Sequence, residues 1–176
     1  MQPKLKGFCY LATQVFSMLQ PATQEDAGYF FSLYMDPAIN PYLLYDPMPE
    51  ADFQHIFNEL RGKGVLYKYV AEGLCFGMCK LVPQFYRNAH TMYIGGVAID
   101  PGHTGKGHGQ QMMQEIIVLA REKGFRRLEL SVAVENTPAI RLYERVGFVI
   151  EGRLRNFTWL KLEQRYLDEF MMSWIE

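Results

Sequence analysis

The sequence predicts a single α/β domain built around a mixed sheet. Its 176 residues are enough for one buried core. Strand-like and helix-like apolar periods follow one another in the order β, two helices, three antiparallel strands, α, β, α, β, β. Because no linker, repeat or low-complexity tract divides this series, we take residues 15–176 as one domain and residues 1–14 as an N-terminal extension.

The first third of the chain is predicted to hold one strand and two helices. Residues 15–22 form the strand, and Thr23, with Asp26 three residues later, caps the first helix. Residues 36–49 contain four prolines and are predicted to form an irregular loop with exposed apolar side chains. The apolar faces of the two helices consist of Ala27, Phe30, Phe31 and Tyr34, and of Phe53, Ile56, Phe57 and Leu60.

The middle of the chain predicts three antiparallel strands. Residues 65–71 and 74–82 are joined by a two-residue turn, and residues 91–99 form the third strand. That third strand contains Gly95 and Gly96. Adjacent glycines weaken a strand and usually mark a bulge or a place where a ligand or another backbone comes close.

The last part of the chain alternates helices and strands. Thr137, followed by Pro138, is predicted to cap the shorter of its two helices. The predicted elements are a helix with the apolar stripe Gly109, Met112, Met113, Ile116, Ile117 and Ala120, a strand over 128–134, a short helix ending at Gly147, and two strands that meet near Glu163 and Gln164.

Charge and composition exclude several kinds of partner. The net charge of −1 gives no large positive field, so we expect neither nucleic acid nor a membrane as a partner. No run of about 18 apolar residues occurs, and polar residues interrupt the apolar stretch after Lys6, so a cytoplasmic protein is expected. Cys9, Cys75 and Cys79 are too few and too unevenly placed for a disulfide framework, which predicts free thiols.

Three alternating glycines, Gly105, Gly107 and Gly109, stand at the start of the long helix. Such a turn can point several backbone N–H groups at one anion, the helix dipole adds about half a positive charge, and Lys106 adds a full one. A flexible glycine-rich loop is the alternative. The spacing is not that of a dinucleotide-binding turn, and Gly107 after Lys106 removes the Ser or Thr of a phosphate-binding NTPase loop.

Two segments resemble the GNAT superfamily of acyl-CoA-dependent N-acetyltransferases. The main motif of that family is Arg or Gln, two residues, Gly, one residue, then Gly or Ala; residues 104–109 fit it, except that Thr104 replaces Arg or Gln. The second motif is matched by Asn136, Ala139, Leu142, Tyr143, Gly147 and Phe148. The resemblance extends from about Val15 to the C-terminus.

The resemblance implies a GNAT-like fold with a splayed mixed sheet, acetyl-CoA as co-substrate, and direct transfer in a ternary complex. It places the CoA pyrophosphate on the backbone of Thr104, Gly105, Lys106, Gly107, His108 and Gly109. The pantetheine arm is expected against Val97, Ala98 and Ile99, with Asn136, Ala139 and Tyr143 beside the cofactor. The Gly95-Gly96 bulge would open the slot between the fourth and fifth strands.

The resemblance also implies that Tyr143 donates to the departing thiolate. Because Tyr143 lies on the apolar stripe of the short helix, a core tyrosine is the alternative. No carboxylate lies on the strand over 91–99, which leaves Tyr93, His90 or a water to accept the proton of the amine. His103 and His108 lack the further ligands of a metal site, so no metal is expected.

The acceptor is expected to be a primary amine: a small-molecule amine, an amino acid, or a peptide or protein N-terminus. Its candidate contacts are Tyr42, Tyr45, Tyr93 and Trp159, although these aromatics could instead cover the edge of the core. Two other functions stay open: an acetyl-CoA sensor without turnover, which the missing carboxylate favours, and a nucleotide-cofactor oxidoreductase, against which the second motif argues. The oligomeric state is also open, with a homodimer as one alternative.

Overall fold

A seven-stranded mixed sheet forms the centre of the protein, and the computed structural model describes residues 19–176. The order of helices and strands confirms the predicted series. The elements are β1 Leu19–Pro21, α1 Ala27–Tyr34, α2 Glu50–Gly62, β2 Leu66–Ala71, β3 Leu74–Pro83, β4 Thr91–Ile99, α3 His108–Glu122, β5 Arg127–Ala133, α4 Thr137–Arg145, β6 Val149–Leu160 and β7 Arg165–Ile175. The predicted N-terminal extension, residues 1–14, and the predicted start of the first strand, residues 15–18, lie outside the described residues.

The strands lie in the order β1-β2-β3-β4-β5-β7-β6. All neighbouring pairs are antiparallel except β4 and β5, which run parallel. These two strands pair only from Thr91 to Tyr93 with Arg127 to Glu129. Beyond Tyr93 they diverge, so the sheet opens in its middle.

The helices cover the two faces of the sheet. One cluster of buried residues joins α3 and α4 to the sheet, and the sulfur and methyl groups of Met112, Met113 and Ile116 are fully shielded there. A second cluster joins α1 and α2 to the other face through Phe30, Phe57 and neighbouring residues. Apolar residues at helical spacing therefore form the core on both sides, as predicted.

Two helix starts test the predicted caps. The N–H of Thr23 donates to Asp26 Oδ2 at 2.6 Å, which confirms the predicted pairing of these residues ahead of α1. At α4 the prediction was wrong by one residue: the N-cap is Asn136, whose Oδ1 accepts the N–H of Ala139 at 3.3 Å. Thr137 is the first residue of the helix. The capping hydrogen bond expected from the Thr137 hydroxyl is made instead by the side-chain carbonyl of Asn136.

The loop over residues 36–49 is irregular apart from a short 3₁₀ turn, Asn40–Tyr42. Asn40 fixes its course, because its Nδ2 donates to the carbonyl oxygens of Tyr34 and Tyr45 at 2.7 and 2.9 Å. Leu44 is 71% exposed, as expected for a loop that cannot bury all its apolar residues. Among residues 19–176, no helix combines the length and the apolar character that crossing a bilayer requires.

Candidate active site

A bulge in β4 creates the opening in the sheet. Met78 pairs with Ala98 and Lys80 with Gly95, so β4 carries one residue more than β3 between these pairs. Gly96 has φ of +57°, and a Cβ built on it would lie 2.6 Å from Tyr34 Oη. Only glycine fits this position, because the left-handed backbone and the tyrosine hydroxyl both oppose a side chain.

A cavity of about 170 Å³ lies in the gap between β4 and β5. It is lined by side chains from the loop over 36–49, from four strands around the gap, from β6 and from α4. The lining includes Tyr42, Leu43, Lys80, Tyr93, Val97, Ser131, Asn136, Ala139, Tyr143, Phe157, Thr158 and Glu169. The cavity therefore reaches both faces of the sheet.

Polar side chains from distant strands meet on one wall of this cavity. The hydroxyls of Tyr93 and Ser131 share a hydrogen bond at 2.9 Å across the diverging strands. Thr158 Oγ1 donates to Glu169 Oε1. Lys80 lies beside Gly95, and within residues 19–176 its ammonium has no carboxylate partner.

A candidate anion site, the turn over residues 104–109, follows β4. Gly105 and Gly107 have φ of +75° and +89°, and within residues 19–176 no protein acceptor takes the N–H groups of residues 105–107. The first turn of α3 adds its own free N–H groups and the positive end of its dipole. Lys106 Nζ is bound to the carbonyl oxygen of Gly102 at 3.2 Å, so the backbone supplies most of the donors.

The free edge of β4 connects the anion site to the cavity. Beyond Tyr93, β4 has no pairing to β5, so its backbone facing the gap is open to an extended ligand. Val97 lines the cavity, and the strand then ends at Ile99, just before the turn Pro101–His103 that leads into the anion site. An extended chain with a phosphate end can thus lie along β4.

Tyr143 reaches the same cavity from α4. It is 6% exposed, and its ring lies 6.1 Å from that of Phe148. Burial raises the pKa of its hydroxyl well above the ordinary value, and Tyr93 and Cys79 add to the shift. The hydroxyl therefore stays protonated at neutral pH and can donate a hydrogen bond to a group in the cavity.

Comparison with known proteins agrees with this arrangement. The family model of the acetyltransferase (GNAT) family matches residues 29–148. The chain belongs to the GNAT family of acetyltransferases.

Relatives differ in how much of the chain they share. The chain is 27% identical over 166 residues to the uncharacterized N-acetyltransferase p20 of Bacillus licheniformis. This alignment covers 85% of the present chain and 86% of p20. It is 42% identical to streptothricin acetyltransferase of Streptomyces lavendulae over only 59 residues, 34% of this chain and 31% of that one.

A solved structure shares the GNAT fold. The crystal structure of spermidine N-acetyltransferase from Vibrio cholerae, in complex with CoA and spermine, matches with a TM-score of 0.77 at 22% identity. The match covers 89% of this chain and 94% of that one. At this identity the likeness concerns the fold.

The GNAT resemblance had placed Val97, Asn136, Ala139 and Tyr143 beside the cofactor, and the structure brings these four together around the cavity. Ala98 instead faces the α1 and α2 cluster, so only its backbone is available to a ligand. Asn136 uses its side-chain oxygen as the cap of α4, which leaves its NH₂ group for a ligand.

The predicted acceptor contacts separate into two groups. Tyr42 and Tyr93 line the cavity. Tyr45 does not: its ring lies 5.5 Å from Tyr34 and packs against the α1 and α2 core. Trp159 does not line it either, and its ring packs at 4.7 Å on Tyr166.

The histidines lie away from the cavity. His90 is exposed in the turn before β4, so it is not placed to accept a proton from an amine in the gap. His103 and His108 pack on the ring of Phe76, with centroids at 4.3 and 4.6 Å. Within residues 19–176, Cys75 and Cys79 are free thiols, as predicted, and Cys9 lies outside the described residues.

Two charged cavity residues are missing from the predictions made from the sequence. Lys80 and Glu169 lie on β3 and β7, 89 positions apart in the sequence, and neither belongs to a recognised motif. The available signal was weak: Lys80 is a charged residue in the otherwise apolar β3, and Glu169 follows another acidic residue, Asp168, in β7. Glu169 thus brings a carboxylate to the cavity, although β4 carries none.

Proposed function

We propose that the protein transfers the acetyl group of acetyl-CoA to a primary amine, with both substrates bound at once. The observation that carries this proposal is the free edge of β4, which joins a backbone anion site to a cavity with polar walls. The pyrophosphate would take the N–H groups after Thr104, and the pantetheine arm would lie along residues 97–99. The thioester would then reach the gap beside Tyr143.

Thr104 replaces the Arg or Gln of the family motif. Its hydroxyl donates to the carbonyl oxygen of Pro101 at 3.0 Å, so it stabilises the turn rather than projecting toward a phosphate. The anion is therefore held by backbone donors and the helix dipole, which do not depend on the side chain at position 104.

The amine must lose a proton before it can attack. For an amine with a pKa of about 10.4, exposing the lone pair at pH 7 costs about 4.6 kcal/mol. We propose Glu169 as the acceptor of that proton, since it is the carboxylate that lines the cavity within residues 19–176. Thr158 orients one of its oxygens and leaves the other for the amine.

Transfer of the acetyl group follows deprotonation of the amine. The nitrogen lone pair forms a bond to the thioester carbon, and the C–S bond breaks with its electrons going to sulfur. Tyr143 gives its proton to the departing sulfur, and the second proton leaving the nitrogen restores the tyrosine. The products are an amide, the free thiol of CoA and one proton, which Glu169 passes to solvent.

The experiment is release of CoA thiol from acetyl-CoA across a panel of amines, amino acids and peptides. Glu169→Gln keeps an acceptor for Thr158 but cannot take a proton, so kcat should fall about 10²-fold with little change in acetyl-CoA affinity. Asp168→Asn is the control, because Asp168 is bound to Arg153 and the N–H of Asn156 outside the cavity. Absence of turnover with every amine would contradict the proposal.

A further inference from the structure

The cavity wall carries opposite charges at its two ends. Lys80 lies on β3 and Glu169 on β7, and the hydrogen-bonded pair Tyr93 and Ser131 lies on the two strands between them. Side chains two residues apart on a strand share a face, so Lys80 is on the same face as Met78, which packs under α1 and α2. The charged wall is therefore on the face that the loop over 36–49 borders.

Lys80 is held in place without a counter-charge. Its Cε lies 3.3 Å from the position where a Cβ on Gly95 would stand, so the glycine leaves room for the lysine stem. Among residues 19–176, no carboxylate lies within ion-pair distance of its ammonium. Burial lowers the pKa of Lys80, and the charge of Lys63 lowers it further. An anionic group in the cavity would offset both effects.

Glu169 provides the complementary end. The proposed function places the ammonium of the acceptor at this carboxylate before proton transfer. An acceptor that carries both an ammonium and an anionic group would satisfy Glu169 and Lys80 together. A polyamine would instead bring a second ammonium toward Lys80, where like charges repel.

We propose that the acceptor is an amine that carries a carboxylate, and that Lys80 is the residue that selects it. The inference rests on the proposed function and deepens it, because it names the chemical class of the substrate. Lys80 binds the anionic group, while the nitrogen near Glu169 attacks the thioester.

The test uses matched acceptors that differ only in charge. Each ω-amino acid, in which several methylenes separate the ammonium from the carboxylate, is compared with its carboxamide, which keeps the shape and nearly the same amine basicity but removes the negative charge, and spermidine is included. For the parent, kcat/KM should be about tenfold or more higher for the best acid than for its amide. In Lys80→Met this ratio should approach one, and Lys80→Arg should keep a clear preference for the acid.

Lys123→Met is the matched control. Lys123 is exposed at the C-terminal end of α3 and does not line the cavity, so its removal should leave the acid-to-amide ratio as in the parent. Thermal melting and calorimetry with acetyl-CoA show that each variant is folded and binds the donor. An unchanged ratio in folded Lys80→Met, or an equal loss with acid and amide, would overturn the inference.

The two proposals fail in different ways. Turnover of spermidine or of amides at the rate of acids contradicts the carboxylate selection alone. Failure to bind acetyl-CoA, or to acetylate any amine of the panel, contradicts the proposed function, and the selection falls with it.

Discussion

Gly96 on β4 lies directly against Tyr34 on α1: a Cβ on this glycine would be 2.6 Å from the tyrosine hydroxyl oxygen. The contact joins the bulge that opens the sheet to the helix that covers it. Because Tyr34 is buried, its ring has little room to move away. The shape of the cavity thus depends on the absence of a side chain at position 96.

Gly96→Ala should therefore destabilise the protein by about 2 kcal/mol, since it combines a left-handed backbone with a steric clash. Urea unfolding measures the loss. In a Tyr34→Phe background the clash is relieved, so the same substitution should cost less. Gly152→Ala is the control, because nothing lies within 4 Å of its Cβ position and its φ is ordinary. Equal stability of the two alanine variants would refute the proposed constraint.

Tyr42 and Tyr45 are predicted to respond differently to alanine. Tyr42 is 46% exposed and borders the cavity, so Tyr42→Ala should raise the KM of the acceptor several-fold and leave acetyl-CoA affinity nearly unchanged. Tyr45 is half-buried and packs against the α1 and α2 core, so Tyr45→Ala should lower the melting temperature, at a cost of about 2 kcal/mol, without a selective kinetic effect. Steady-state kinetics and thermal melts measure both effects. A loss of stability in Tyr42→Ala together with a raised acceptor KM in Tyr45→Ala would contradict this assignment.

Tyr143→Phe separates catalysis from packing. The ring that contacts Phe148 is kept, so the melting temperature should change little. Loss of the proton donor should reduce kcat about 10²-fold, and the loss should shrink with an acyl donor whose thiol leaves more easily. Tyr69→Phe is a matched control, since its hydroxyl is bound to Gln111 away from the cavity. A parental rate in Tyr143→Phe, where chemistry limits kcat, would assign Tyr143 to the core.

Local chemistry explains which parts of the molecule the sequence predicts. The glycines of β4 and of the anion site have positive φ or a close neighbour, and such requirements act within a few residues. Helix faces and most strand limits follow from apolar spacing for the same reason. Even the error at Asn136 is local, because two adjacent residues could both cap α4.

The cavity wall could not be predicted in this way. Three residues of this wall come together only through the pairing of strands: Lys80, Ser131 and Glu169. In the folded sheet β3 and β5 lie on either side of β4, and β7 lies beside β5, each in a particular register. Periodicity gives the face of each strand but not its partner. The difference between Tyr42 and Tyr45 likewise depends on how Asn40 fixes the loop. A cytoplasmic location and a homodimer stay predictions.

The most direct test of the account is calorimetry of acetyl-CoA binding to two glycine variants. Gly107 and Gly124 have φ of +89° and +83°, and nothing lies within 4 Å of either Cβ position, so alanine should cost each about 1–2 kcal/mol of stability. Only Gly107 lies in the anion site. The account predicts that Gly107→Ala raises the Kd of acetyl-CoA about tenfold or more, while Gly124→Ala leaves it unchanged. Parental affinity in both folded variants would contradict it.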